Sequence, residues 1–332
     1  MHMADALVSP AVAGTMYACS AIVAGYAVKK IKLEDDPKKI PTMGVMGAFV
    51  FATQMINFTI PGTGSSGHLC GGMLLSAVLG PYAGFLTMIG VLLVQGLFFA
   101  DGGLLALGCN IWNMAFYGCF LGAGLLWKYA VRKGISKKKI TVLSILGCVI
   151  TLQLGAFSVT IETLASGITE LPFAVFAGTM LPIHLAIGLV EGLITAAVLC
   201  FIYEARPEVL WIEDQKKIAG KENRLSFQKT LGILLGAFVV IGAGLSLFAS
   251  SLPDGLEWSI GKVTGSSELA ASGGIYGLAD KVQSFTSFLP DYSFAGSSSA
   301  SGTSVSGITG GVIVMALCFL VCMILKKHKK SK

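Results

Sequence analysis

The sequence predicts an all-α integral membrane protein: a seven-helix bundle followed by two additional transmembrane helices, with the N-terminus outside and the C-terminus in the cytoplasm. Composition, apolar runs and basic clusters point to it. Of 332 residues, 54% are hydrophobic and only 13% charged, about half the roughly 25% charge typical of soluble domains. Glycine contributes 42 residues, in keeping with its frequency in membrane helices.

A helix needs about 20 apolar residues to cross a bilayer. Nine segments are candidates: 7–28, 41–58, 68–80, 82–100, 104–131, 140–160, 184–203, 231–250 and 308–325. The third is short and ends at Gly80-Pro81, where a helix breaks. The stretch 161–183 is apolar but interrupted by Glu162, Glu170, Pro172 and Pro182, and reads as an interfacial or re-entrant connection.

Lysine and arginine follow the first, fifth, seventh and ninth segments. These clusters hold 22 of the 24 basic residues, leaving only Lys262 and Lys281 elsewhere. If nine helices alternate, every cluster falls on one side, which the positive-inside rule assigns to the cytoplasm. The net charge of +6 is therefore a topology signal, not a nucleic-acid patch. Residues 1–205 form a first domain of seven spans, 206–230 a charged cytoplasmic linker, and 231–332 a two-helix module. An external segment, 251–307, separates that module's helices, and its Ser/Gly-rich end, 296–304, reads as a flexible linker. The eight cysteines sit inside apolar segments without paired CxxC spacing, so they read as small packing residues and not as a zinc or iron–sulfur site.

There is no basic region before the first apolar run and no clear small-x-small cleavage site following a short one, so no signal peptide is expected. Met1 is expected to remain, because aminopeptidases remove methionine only before a small residue, and His2 is not small. The predicted orientation puts Met1-His2, the loop Thr59–Gly67 ending in His68, Asp101 and His184 on the outer face; His328 lies in the basic tail. A free Met1 amine, the His2 amide nitrogen and His2 Nδ1 can bind one ion through fused five- and six-membered chelate rings. His68 is the obvious fourth donor. Four nitrogens in a plane suit Ni(II) or Cu(II), and deprotonating an amide favours those ions over Zn(II), Mg(II) or Mn(II). The bland alternative makes His2 a disordered terminal residue. Asn57 is either a hydrogen-bonding support for this site or a helix C-cap. Asp101 either offsets the ion's charge or caps the fifth span.

A competing reading takes Gly64-Ser65-Ser66-Gly67 and His184 as a rhomboid-like serine protease dyad, Ser66 with His184. It leaves Met1-His2 and the C-terminal pair of helices unexplained. A binding-only sensor is a third class.

Several separated motifs, in order, resemble one family. They are the N-terminal Met-His, Asn57-Phe-Thr-Ile-Pro-Gly-Thr-Gly-Ser-Ser-Gly-His68-Leu, Asp101-Gly-Gly-Leu-Leu-Ala-Leu-Gly-Cys-Asn110-Ile-Trp-Asn113-Met and Pro182-Ile-His-Leu-Ala-Ile-Gly-Leu-Val-Glu191. Together they resemble the substrate-binding (S) component of nickel/cobalt energy-coupling factor (ECF) transporters, of the CbiM/NikM type. Pro253-Asp-Gly-Leu-Glu-Trp258 resembles the small two-helix component CbiN/NikN, so the chain looks like a fusion of the two. The resemblance implies uptake of Ni(II), or alternatively Co(II), across a prokaryotic cell membrane, with planar capture by Met1, His2 and His68. It also implies a transmembrane coupling (T) protein and two ATP-binding cassette ATPases as partners. No Walker A motif occurs in this chain, so ATP hydrolysis is expected in those partners; no resident cofactor, enzymatic activity or nucleic-acid partner is expected. Gly14, Ala18, Ala21 and Gly25 form a small-residue face on the first helix, suited either to that coupling protein or to internal packing. Glu191, two turns beyond His184, is either a functional intramembrane carboxylate or a buried structural acceptor.

Overall fold

The computed structural model describes residues 1–31, 37–132, 134–212, 223–267, 269–271, 273–294 and 300–330. Lys32, Lys133, Lys216, Lys217, Lys221 and Lys332 of the basic clusters lie outside these residues. So do part of the 206–230 linker and residues 296–299 of the Ser/Gly-rich run.

An N-terminal arm leads into α1 (Pro10–Lys30), which opens on a Ser9 cap and proline at its first position, both favourable helix starts. Next come α2 (Lys39–Gln54), a small antiparallel hairpin of β1 (Phe58–Ile60) and β2 (Ser65–Gly67), α3 (Gly72–Leu79) and α4 (Pro81–Phe98). The first domain is completed by α5 (Leu107–Val131), α6 (Lys137–Ser166) and α7 (Phe173–Ala205). The rest of the chain adds α8 (Phe227–Phe248), α9 (Gly255–Thr264), α10 (Gly274–Thr286) and α11 (Ala300–Lys330).

Among the described residues, α1, α4, α5, α6, α7, α8 and most of α11 are long and apolar enough to cross a membrane. Two expected spans are shorter than the sequence suggested. α2 has 16 residues, about 24 Å at 1.5 Å per residue. In place of a helix over 68–80, only α3 forms, with 8 residues. The cause lies just before it. The Cys70 and Gly71 amides donate to the Glu191 carboxylate at 3.0 and 2.9 Å. That carboxylate satisfies the main chain where a further helical turn would otherwise be needed. Glu191 thus takes the structural role of the two considered for it.

The stretch 161–183 is not re-entrant. α6 runs on to Ser166 and α7 begins at Phe173, so only a short turn separates two long antiparallel helices. Glu162 stays helical and buried because Asn113 Nδ2 donates to it at 2.7 Å. Pro182 lies inside α7 without ending it, as membrane helices tolerate when neighbouring helices supply support.

α2 and α3 form the buried centre, and α1 lies at the periphery. α11 packs along α2, and α8 also lies against α2. The arm and the basic ends are at opposite ends of α1, which at 21 residues is about 31 Å long. The basic clusters meet at the end away from the arm. Lys38 Nζ and Arg206 Nη2 approach Glu208 at 2.9 and 2.5 Å, and Lys137 pairs with Glu204. Most of the described cysteines are buried and all are free thiols.

Candidate metal centre

The arm is extended, so its side chains alternate. Met1 and Met3 point into the core, 3% and 0% exposed, while His2 turns the other way. Asn110, near the start of α5, fixes the arm's main chain from both sides. Its Oδ1 accepts from Met3 N–H at 2.7 Å, and its Nδ2 donates to the Met3 carbonyl at 3.1 Å. Gly103 N–H donates to the same carbonyl at 2.9 Å. Gly102 lets this loop come close: its φ is +84°, and a side chain there would meet Asn110 Nδ2 at 2.9 Å and His2 Cβ at 3.2 Å. Asp5 Oδ1 accepts from the Ala106 amide at 3.0 Å.

The result is a buried amine. Met1 N lies 2.7 Å from His68 Nε2 and 2.5 Å from Asp254 Oδ2. His68 follows β2, and its Nδ1 donates to the Leu69 carbonyl at 2.9 Å. This fixes Nε2 as the lone-pair nitrogen facing the amine, as metal-binding histidines are commonly held. The His2 and His68 rings stack with centroids 5.0 Å apart and 21° between planes. His2 Nδ1 is 3.1 Å from Asp101 Oδ1, and Nε2 is 3.2 Å from Gln95 Oε1. Burial pulls the His2 imidazole down to about 4, against the raising effect of Asp101. His2 is therefore neutral at physiological pH.

Asp254 comes from the C-terminal module. It begins α9 with a capping box: its Oδ1 accepts from the Leu256 and Glu257 amides at 2.8 and 2.9 Å, and Glu257 Oε2 accepts from the Asp254 amide at 3.0 Å. Oδ2 is left to face Met1. Burial alone would raise this carboxyl, but the Met1 ammonium outweighs it and holds it well below the usual carboxylate range. The module is tied to the β-hairpin as well. Pro253 O accepts from Ser66 N–H at 2.8 Å, and Trp258 Nε1 donates to Thr63 O at 3.0 Å.

Of the sequence-predicted residues, the fold brings together Met1, His2, His68, Asp101 and His184. His184 lines, with Met1, His68, Cys70, Met114 and Asp254, a small void of about 10 Å³. Asn57 stands apart from that void; its carbonyl accepts from Ser250 N–H at 2.8 Å. Neither cap reading holds, since α2 already ends at Gln54 and α5 begins only at Leu107. Ser66 and His184 form no dyad. Ser66 Oγ donates to Leu252 O at 2.7 Å, His184 Nδ1 donates to Met180 O at 2.8 Å, and His184 Nε2 has no partner. Gly14, Ala18, Ala21 and Gly25 are all exposed. The α1 face that packs internally is instead the one bearing Ala13, Ser20 and Ala27.

Sequence reasoning did not assign roles to Asn110, Gln95 or Asp254. Asp254-Gly-Leu-Glu257 carries a legible signal, an N-cap aspartate with glutamate three residues on, but nothing local reveals where that helix start docks. On the other side of the arm lies a vestibule of about 520 Å³, lined by Asp5, Asp101, Asp254, Glu257, Asp280 and Asp291, and by no lysine or arginine among the described residues. Nor is any group of three or more His, Cys, Asp or Glu side chains arranged to hold a metal ion among the described residues.

A bundle of apolar helices closed over a terminal amine and two imidazoles defines a multi-pass membrane protein with an ion-sized polar site. The chain belongs to the CbiM family, the cobalt uptake substrate-specific transmembrane region, which matches residues 2–209; a PDGLE domain matches residues 228–327. Both regions are thus joined in one prokaryotic membrane polypeptide, as the resemblance implied. The chain is 34% identical to a putative fused nickel transport protein NikMN of Archaeoglobus fulgidus, over 96% of this chain and 97% of the relative. It is 29% identical to a probable fused nickel transport protein LarMN of Lactiplantibacillus plantarum, over 96% of each. A crystal structure of a truncated transition metal transporter superposes with a TM-score of 0.54 at 30% identity, covering 61% of this chain and 99% of that one.

Proposed function

We propose that the chain captures Ni(II) at its N-terminus and is the substrate-specific subunit of an ATP-driven ECF uptake system. The donors are the Met1 amine, the His2 amide nitrogen, His2 Nδ1 and His68 Nε2. One observation carries this reading: Met1 N and His68 Nε2 are 2.7 Å apart. Two nitrogens bound at right angles to one ion, each about 2.0 Å from it, are separated by about 2.8 Å. Co(II) is the second candidate, since it adopts a planar amidate site less readily.

The arrangement described is that of the free site, with the Met1 amine held by Asp254 and His2 Nδ1 by Asp101. Binding requires the Met1 amine to give up Asp254 and the His2 ring to turn from Asp101. The charge balance makes this exchange feasible. A divalent ion brings two positive charges, while the ammonium and the amide each release a proton. The net charge facing Asp254 and Asp101 is unchanged, and no buried charge is left uncompensated. The acidic vestibule supports the same reading, because a cleft of one sign raises the local concentration of the opposite ion.

In the proposed orientation the arm is outside and the basic end is cytoplasmic. The exposed small-residue face of α1 docks the coupling protein, and two partner ATPases drive release. Binding of Ni(II) to the full chain is compared with that of a chain carrying one extra residue before Met1. Extension displaces the amine and breaks the fused rings; binding is expected to be lost. Unchanged binding by the extended chain would overturn the site. The intact mass checks that Met1 is the mature terminus. Uptake into vesicles with and without the ATPases separates a transporter from a sensor.

A further inference from the structure

His184 has the orientation of a metal ligand but lies outside the planar set. It is 1% exposed in the middle of α7. Its Nδ1 donates to the Met180 carbonyl at 2.8 Å, so the lone pair is on Nε2, and Nε2 has no partner. His68 is held the same way, Nδ1 on the Leu69 carbonyl and Nε2 toward the amine. Both histidines line the void that also contains Met1. Such an anchored, outward-turned Nε2 is the usual preparation of a ligating histidine, and a buried nitrogen left unpaired costs stability that only a partner repays. Gly255 keeps this nitrogen open. A side chain there would meet His184 Cε1 at 3.0 Å and Nε2 at 3.3 Å, covering the lone pair.

Resting on the planar-site reading, we propose that His184 Nε2 is the entering donor through which the ion leaves the N-terminal chelate. Square-planar d⁸ ions exchange ligands by adding a fifth donor before one of the four departs. A bond from His184 Nε2 to Ni(II) forms, the bonds to the amide and the amine then break in turn, each nitrogen taking one proton from solvent as it leaves, and His184 Nε2 finally gives the ion up to the ligand that receives it. Such a donor speeds exchange without adding to equilibrium affinity. It gives an inert chelate a way to let go.

The test is kinetic. The full chain in nanodiscs is loaded with Ni(II) and challenged with excess chelator, for wild type, His184→Gln and His184→Ala. Dissociation is expected to slow by about ten-fold or more in both variants, and association with it, because the missing donor acts on the exchange barrier and not on the bound state, while affinity stays within about three-fold. Added imidazole should restore the rate in His184→Ala, which has room for it, and not in His184→Gln. Unchanged dissociation rates would overturn the proposal, and so would a parallel loss of affinity, which marks an equilibrium ligand or a packing residue. His184→Gln, which preserves side-chain bulk, carries the test if the alanine variant does not fold. Failure of the planar site itself is read separately, as nickel binding by the N-terminally extended chain.

Discussion

The carboxylate of Asp254 lies 2.5 Å from the amine of Met1, across 253 residues of sequence. This contact joins the start of the first domain to the first turn of α9 in the C-terminal module. Asp254→Asn removes the charge while leaving a side chain able to cap α9, and it leaves the ammonium without its counterion. A buried ion pair broken on one side costs about 3–5 kcal/mol. The arm is expected to open, and labelling of Met1 by an amine-reactive ester should rise by an order of magnitude or more. Mass spectrometry of the N-terminal peptide reads this directly; equal labelling would mean that the pair does not hold the arm.

Nickel binding should release about two protons per ion, one from the ammonium and one from the amide, as metal binding to protonated ligands requires. His2 adds none above pH 5. Its pKa is lowered to about 4 by burial, so its neutral form is favoured by folding and is lost only as pH falls toward 4. Affinity should therefore fall by about two orders of magnitude per pH unit on acidification from 7 to 5. Calorimetry in buffers of different ionisation enthalpy counts the protons; a value near zero contradicts the donor set.

Asn110→Ala removes the two hydrogen bonds that Asn110 makes to the Met3 main chain and leaves the one from Gly103. The donors themselves are untouched, so any loss reports positioning. A fall of about 10- to 100-fold in nickel affinity is expected, the usual cost of losing such support. Asn110→Asp restores only the bond to Met3 N–H and should fall between. Affinity equal to wild type in the alanine variant would show that the arm needs no clamp.

Gly14→Leu and Ala18→Leu enlarge a face of α1 that is exposed throughout. Nothing lies within 4 Å of a Cβ built at Gly14, so folding and nickel binding should stay near wild type. Close helix approach needs small residues, and uptake by the assembled system is expected to drop at least ten-fold. Full uptake by both variants would place the coupling protein elsewhere.

Much of this was legible in the sequence because membrane physics is strict. Apolar runs and lysine clusters located the helices, and the chelate chemistry of an amine, an amide and an imidazole singled out Met1-His2 with His68. Failures occurred where a distant partner overrides a local signal. Glu162 reads as an interruption until Asn113 is seen to bind it. Pro182 reads as a helix end until α6 is seen packed beside it. The segment 68–71 reads as helix until Glu191, more than a hundred positions on, takes its amides. Asp254 shows its helix cap openly, yet the same carboxylate's second oxygen meets Met1 only through the docking of the whole module.

Met1 is 3% exposed, and the void beside it is about 10 Å³, scarcely the size of one water. An acyl group on that nitrogen has nowhere to go. A formyl group carried on this nitrogen by a bacterial initiator methionine would therefore have to be removed before the arm closes. The order of synthesis provides the interval. Asp254 is made only after three-quarters of the chain has emerged, and until then the terminus remains within reach of a deformylase.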